Sequence, residues 1–318
     1  METIKEHNAF AVLGDAVPTL KMAAQYTGVK YISLLNAYMS RYYSDTRSLP
    51  SAHPANVLMN KLPGGIQKLF TAQGEAIAFK KIHKPFVKLR TKYNLPQVDN
   101  YLDEMEGDQT LICDLPSLFP QKNLPTHYTC CGPLIYDDYQ DGSPVLSLDI
   151  RKKTIFVSMG STGDWSSVQF LNDGRYSIYN IITAGDSEGV LNSSHIKKVD
   201  FIAASAILPV TDLVICHGGN GTIYQALAYG LPLLCKASHF EQEWNVAALE
   251  KKGLTGTLRK TDSEIYEKLI AEWSHKKQHY AHKGVMEAIN LYTAQLNGRI
   301  SAIARSILDM HLVTQHAV

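Results

Sequence analysis

Short apolar runs alternate with amphipathic stretches along this chain, the pattern of strands joined by helices. Near the N-terminus, Ala9 to Leu13 reads as a strand and Pro18 to Tyr26 as a helix stopped by Gly28. Val29 to Leu35 reads as a second strand. Asn56 to Tyr93 has a helical pattern, punctuated by Pro63-Gly64-Gly65 and Pro85. Leu111 to Cys113 and Tyr128 to Cys131 read as two further strands, and polar Tyr136 to Asp149 as a linker. A second series starts at Thr154 to Ser158. A helix is expected from about Trp165, with strands at Ser177 to Thr183, Val199 to Ile202 and Asp212 to Ile215. Thr222 to Tyr229 reads as a helix closed by Gly230, and Leu231 to Cys235 as the next strand. Asp262 to Leu312 reads as successive amphipathic helices. Such alternation predicts parallel sheets covered on both faces, with ligands at the carboxyl ends of the strands.

Two glycine-rich turns fall at those ends. One is Met159-Gly160-Ser161-Thr162-Gly163; the other is Cys216-His217-Gly218-Gly219-Asn220-Gly221-Thr222. A strand, a glycine-rich turn and a helix N-terminus make a phosphate site: the backbone comes close, and unpaired N–H groups with the helix dipole hold the anion. After the next strand comes Phe240-Glu241-Gln242-Glu243-Trp244-Asn245, whose polar Glu-Gln pair emerges at the same edge. The ligand this predicts is phosphorylated and rich in hydroxyls.

Composition narrows the picture. The chain has 318 residues, enough for two domains, with 45% hydrophobic and 19% charged residues, as in an ordinary soluble protein. A net charge of +1 argues against an electrostatic grip on nucleic acid or anionic membrane. The sequence has no long uncharged apolar run and no signal-peptide pattern at its start, so it is expected to be cytoplasmic. The five cysteines show no C-x-x-C spacing, and Cys216 and Cys235 read as buried thiols. His275, His279 and His282 have helical spacing but sit among Lys276, Lys277 and Lys283, so they read as a solvated face rather than a metal site. Tyr38, Tyr42 and Tyr43 read either as an acceptor-pocket cluster or as packing.

With these residues the chain resembles the nucleotide-sugar glycosyltransferases of the GT-B fold, in particular the UDP-glycosyltransferase and macrolide-glycosyltransferase group. The resemblance rests on the spacing from His217–Thr222 to Gly230-Leu231-Pro232 and on to Glu241-Gln242 and Asn245. Gly14-Asp15, Pro18, Gly28-Val29, Ser33–Tyr38 and Gly132-Pro133-Leu134 carry it into the N-terminal half. It implies an α/β architecture of two Rossmann-like domains facing a cleft. Residues 1–140 would form a truncated acceptor-side domain, 141–150 a linker, 151–296 the donor domain and 297–318 a helix crossing back. The implied reaction moves a hexose, with inversion and without metal, from a nucleoside diphosphate sugar to a hydroxyl of a small-molecule or lipid acceptor. The donor, a UDP-sugar first, is a co-substrate; no cofactor is implied.

Residue by residue, the resemblance implies that Gly219, Asn220, Gly221 and Thr222 hold the donor diphosphate and that His217 bonds a phosphate oxygen. Ser158, Gly160 and Ser161 face the same nucleotide, while Glu241 and Gln242 grip sugar hydroxyls. Gln225 stands where the family commonly has a ribose-binding Glu. Phe201 stands near the family's base-stacking position, with a core position its favoured alternative. Asp15 matches the Asp that orients the family's catalytic His, with a turn or capping role as its alternative. No segment here matches the one carrying that His. The expectation is therefore a truncated reading of a longer enzyme, a partner chain supplying the missing part, or a donor-binding subunit that does not catalyse. A nucleotide-sugar epimerase on the same fold is the remaining alternative.

Overall fold

The chain packs as two units, one built from Met1–Leu134 with the last helix from Tyr292 on, the other from Ile135–Leu291. The computed structural model describes residues 1–47, 49, 54–55, 59, 61–136, 146–259, 263–277 and 279–315. Most of the expected Tyr136–Asp149 linker lies outside these residues.

The first unit opens with helix α1 (Glu2–Glu6), strand β1 (Ala11–Asp15), helix α2 (Pro18–Thr27) and strand β2 (Lys30–Leu35). Pro18 occupies the first turn of α2, where its missing N–H costs nothing, and Gly28 ends the helix in the left-handed region at φ 72°. Helix α3 (Gly64–Lys92) carries Pro85 within it rather than stopping there, so this proline does not act as the breaker its type predicts. Helix α4 (Tyr101–Glu104) is closed by a capping box between Asn100 and Asp103, and strands β3 (Gln109–Ile112) and β4 (Tyr128–Cys130) follow. The sheet order is β1-β2-β3-β4, all parallel. Ile32, Leu111 and Cys131 pack with Ile303 of the last helix, and Arg299 Nη1 donates to the Cys130 carbonyl at 2.8 Å.

The second unit holds strands β5 (Thr154–Ser158), β6 (Asn180–Ala184) and β7 (Ile196–Val199), then helix α5 (Ala204–Ile207) and strand β8 (Leu213–Cys216). Helix α6 (Asn220–Ala228), strand β9 (Leu233–Cys235), helix α7 (Phe240–Glu250) and strand β10 (Thr255–Thr257) complete the sheet region. Helices α8 (Ser263–Trp273) and α9 (Tyr280–Gln315) end the chain. The sheet is again parallel throughout, in the order β10-β9-β8-β5-β6-β7. Ile155, Val157, Leu213, Ile215 and Leu234 are fully buried at its centre. Each apolar side chain so buried contributes about 1.5–3 kcal/mol before entropy is counted.

Several local expectations are corrected. The stretch after Trp165 forms two short 3₁₀ segments, Trp165–Asn172 and Gly174–Ile178, not an α-helix. Asp164 and Asp173 cap them, and Tyr176 turns into the core, so the strand expected from Ser177 begins only at Asn180. The strand expected at Val199 to Ile202 instead ends at Val199. His282, expected on a solvated face, is buried and bonds the Leu254 carbonyl through Nε2 at 3.1 Å. Its ring meets Trp273 edge-on with centroids 6.4 Å apart.

Candidate functional site

In the second sheet the chain runs from β5 outward through β6 and β7, then returns to lay β8 on the other side of β5. The connections leave this point in opposite directions, which opens a crevice at the carboxyl ends of β5 and β8. The register pairs Ser158 with Cys216, so both strands stop level and both glycine-rich turns emerge together. The sequence therefore folds its two most glycine-rich segments onto one spot.

His217 is the first residue of the second turn. Its imidazole is buried and lies against Gly160 and Gly219. A Cβ on Gly219 would sit 2.3 Å from His217 Nε2, and one on Gly160 would sit 2.6 Å from Cε1. These glycines are thus required by the ring between them as well as by any ligand. Burial is the main force on the His217 pKa and lowers it; the Ser158 carbonyl pulls the other way, and the His239 and Glu241 charges oppose each other. The ring is neutral at neutral pH. Its Nδ1 has no hydrogen-bond partner among the described residues. A buried polar atom without a partner is costly and marks a place where a ligand atom is welcome.

Gly219 is the N-cap of α6, and no side chain caps this helix. The leading N–H groups of such a helix lack intrahelical partners and lie at the positive end of its dipole. Asn220, Gly221 and Thr222 form that first turn, with Gly221 exposed. Ser158 is half-buried at the end of β5, while Gly160 and Ser161 are exposed on the facing turn. The structure brings all of these together with His217, and the arrangement can hold a diphosphate through backbone groups.

The Glu-Gln pair divides in its surroundings. Both residues open α7, where Glu241 is exposed and close enough to act on the His217 charge. Gln242 is buried; its Oε1 accepts from Ser238 N at 2.8 Å and Ser238 Oγ at 3.0 Å. Gln242 Nε2 donates to Thr162 Oγ1 at 3.3 Å. Gln242 therefore ties the loop after β9 to the turn after β5, while Glu241 is exposed. Asn245 supports the same place by donating from Nδ2 to the Gly218 carbonyl at 3.1 Å. Thr162 and Ser238 were not singled out from sequence. The Ser238–Gln242 spacing across a helix start is the signal that points to them.

Three residues stand apart. Phe201 is 57% exposed beyond the end of β7, which overturns the favoured core reading. Gln225 Nε2 donates to the Tyr136 carbonyl at 2.8 Å, so it is held by backbone on the outer turn of α6. Asp15 belongs to the first unit, exposed at the carboxyl end of β1, where its charge raises the Tyr31 pKa behind the larger effect of burial. Of the three tyrosines, Tyr38 is fully buried against Phe119 and Tyr42 packs edge-on to Tyr128. Tyr38 is therefore a packing residue.

Residues 154–290 match the glycosyltransferase family 28 C-terminal domain, a span that contains every donor-side residue named above. The PGL/p-HBAD biosynthesis rhamnosyltransferase of Mycobacterium bovis (strain BCG / Pasteur 1173P2) is 26% identical over 260 residues, 79% of this chain and 56% of that protein. The chain spans 56–59% of the length of the first curated relatives it matches. Among solved structures, the kitacinnamycin glycotransferase superposes with a TM-score of 0.69 at 14% identity, covering 96% of this chain and 78% of that one. The calicheamicin glycosyltransferase superposes at 0.65 with 15% identity, over 97% and 75% of the two chains.

Proposed function

From a chain with the GT-B glycosyltransferase fold of the macrolide-transferase type, we propose a hexosyltransferase that uses a nucleoside diphosphate sugar. The acceptor in this reading is a hydroxyl of a small-molecule or lipid substrate, and transfer proceeds with inversion. One observation carries the proposal: two glycine-rich turns converge at the β5/β8 crevice on an uncapped helix and a buried neutral histidine with a free Nδ1.

The chemistry follows from that geometry. As the acceptor oxygen attacks the anomeric carbon, negative charge grows on the departing diphosphate. The α6 N–H groups, fixed before the reaction, stabilise that charge without reorganising and without a divalent ion. His217 completes the cradle by donating to a phosphate oxygen, the diphosphate's negative charge favouring the protonated ring. Glu241 orients the sugar, while Gln242 holds the loop after β9 to the turn after β5. Asp15 is assigned to the acceptor side, where it orients a catalytic base. The rhamnosyltransferase relative makes a 6-deoxyhexose the first sugar to test, with UDP and dTDP as the first carriers.

Titration calorimetry with UDP and dTDP, then with their sugars, tests this directly. Binding of a nucleoside diphosphate, unchanged by EDTA, is expected; no binding of any would sink the assignment. A second reading keeps donor binding but places the base on a further polypeptide segment, and the relatives' greater length favours it. Donor binding without turnover by this chain, restored by adding that segment, distinguishes the second reading from the first.

A further inference from the structure

Helix α7 is fastened at its first turn. Gln242 holds Thr162 and Ser238, Asn245 Nδ2 donates to the Gly218 carbonyl, and a Cβ on Gly218 would meet Val246 Cγ2 at 2.8 Å. The start of α7 therefore packs directly on the turn after β8, with Glu241 within electrostatic reach of His217. Counting about 100° per residue, Phe240, Trp244 and Glu241 stand at about 0°, 40° and 100° around the helix, and Asn245 and Gln242 at about 140° and 200°. Outward from the fastened side, Glu241 comes first and two aromatic rings come next. Phe240 is 53% exposed and Trp244 is half-buried, with ring centroids 5.2 Å apart and planes at 55°.

Sheet order gives this ledge a direction. The order β10-β9-β8-β5-β6-β7 puts α7, which follows β9, on one side of the β5/β8 crevice and Phe201, beyond β7, on the other. A nucleoside diphosphate sugar carries its diphosphate in the middle. With the phosphates at the crevice and the nucleoside toward β7, the sugar falls on the α7 side. A hexose has two characters: its hydroxyls need polar partners, while its C–H bonds form an apolar patch that the negative face of an aromatic ring attracts. A polar anchor beside an apolar wall suits such a ligand. A C6 hydroxyl laid on the rings would give up water and gain no partner, whereas a methyl group there loses nothing.

We infer that Phe240 and Trp244 are specificity-determining residues: they form an aromatic ledge that receives the C6 methyl edge of a 6-deoxy sugar whose hydroxyls Glu241 grips. The inference rests on the nucleotide-sugar reading and names the residues that select its sugar. An aromatic pair four positions apart also steadies a helix start, but that role is indifferent to which sugar is bound. Discrimination at C6 is the readout that separates the two.

Titration calorimetry of the full chain tests it with two pairs of donors, each pair differing by one oxygen at C6. One pair is dTDP-L-rhamnose and dTDP-L-mannose; the other is dTDP-6-deoxy-D-glucose and dTDP-D-glucose. UDP donors replace them if UDP is the diphosphate that binds. In at least one pair the 6-deoxy donor is expected to bind about tenfold more tightly. Phe240→Ala and Trp244→Ala each cut that preference to about threefold, and the double variant erases it. Phe240→Tyr keeps it, and affinity for the nucleoside diphosphate alone is unchanged in every variant. Equal binding within both pairs, or a preference that survives the double variant, overturns the inference and leaves the phosphate site standing. Alanine variants that weaken nucleoside diphosphate and donor in step show a packing role and overturn it too. Failure to bind any nucleoside diphosphate removes the transferase reading itself, and the ledge with it.

Discussion

The two units use the same parts, parallel strands and covering helices, yet they are held together differently. In the second unit the central strands β5, β8 and β9 are almost wholly apolar and buried. In the first unit charge lies at the centre: Arg90 and Glu104 are fully buried and His83 nearly so. Burial pushes the Glu104 carboxyl up, but hydrogen bonds from Arg90 and His83 and the charges of Arg90 and Lys21 overcome it and leave it below the usual range. Lys21 Nζ donates to the Asp103 carbonyl at 2.5 Å, and burial is the largest force lowering its pKa. An apolar platform can present backbone dipoles in one fixed geometry. A charged core holds only while every partner is present.

The largest expected effect tests that contrast. Arg90→Ala strands the Glu104 carboxylate in the interior and costs about 3–5 kcal/mol. All three tryptophans, Trp165, Trp244 and Trp273, lie in the second unit, so tryptophan fluorescence reports on that unit alone. Denaturation of the variant should show an early transition by far-UV circular dichroism and an unshifted one by tryptophan emission. If both probes move together, the units unfold as one and the contrast has no energetic meaning.

Gly219→Ala attacks the other side. Its Cβ meets the His217 ring, and overpacking at a buried site costs about 1–3 kcal/mol. Here the tryptophan transition should move and the earlier comparison invert, with nucleoside diphosphate binding lost in calorimetry. Retained binding would mean that the turn after β8 is not the phosphate cradle.

The meeting of the two glycine-rich turns was legible in the sequence because glycine spacing encodes close approach directly. Gly160 and Gly219 are needed by a histidine that the same motif names. The parallel two-sheet architecture was legible from the alternation of apolar runs with helical patterns. What failed depends on distant packing. His282 looks solvated from its lysine neighbours, yet the Leu254 carbonyl and Trp273 ring that bury it lie 28 and 9 positions away in sequence. Phe201 looks like core from its type, but β7 ends before it. The segment after Trp165 has helical periodicity, and the capping aspartates at 164 and 173 break it into two short turns.

Within the site, the Glu-Gln pair should separate in a smaller experiment. Glu241→Ala weakens nucleotide-sugar binding roughly tenfold, about 1.5 kcal/mol for a charged hydrogen bond, and leaves nucleoside diphosphate binding alone. Gln242→Ala releases Ser238 and Thr162 and should weaken both ligands equally. Calorimetry that finds the two variants alike would remove the distinction between a ligand-facing and a positioning residue.

The smallest effect concerns His217 itself. Its folded pKa is lowered from the ordinary value of 6.5, so its contribution to stability is complete above that pH. The contribution falls away as pH drops through the ordinary value toward the lower folded pKa, because the unfolded chain takes up the proton first. A bound diphosphate reverses the bias: its negative charge favours imidazolium, so the ring's pKa should rise, about 1.4 kcal/mol of coupling for each unit. Following the His217 ring protons by NMR, with and without UDP, measures both. A pKa that does not move on binding would detach His217 from the phosphate and leave the backbone amides of α6 to hold it alone, which would make the apolar platform rather than the histidine the source of the site's affinity.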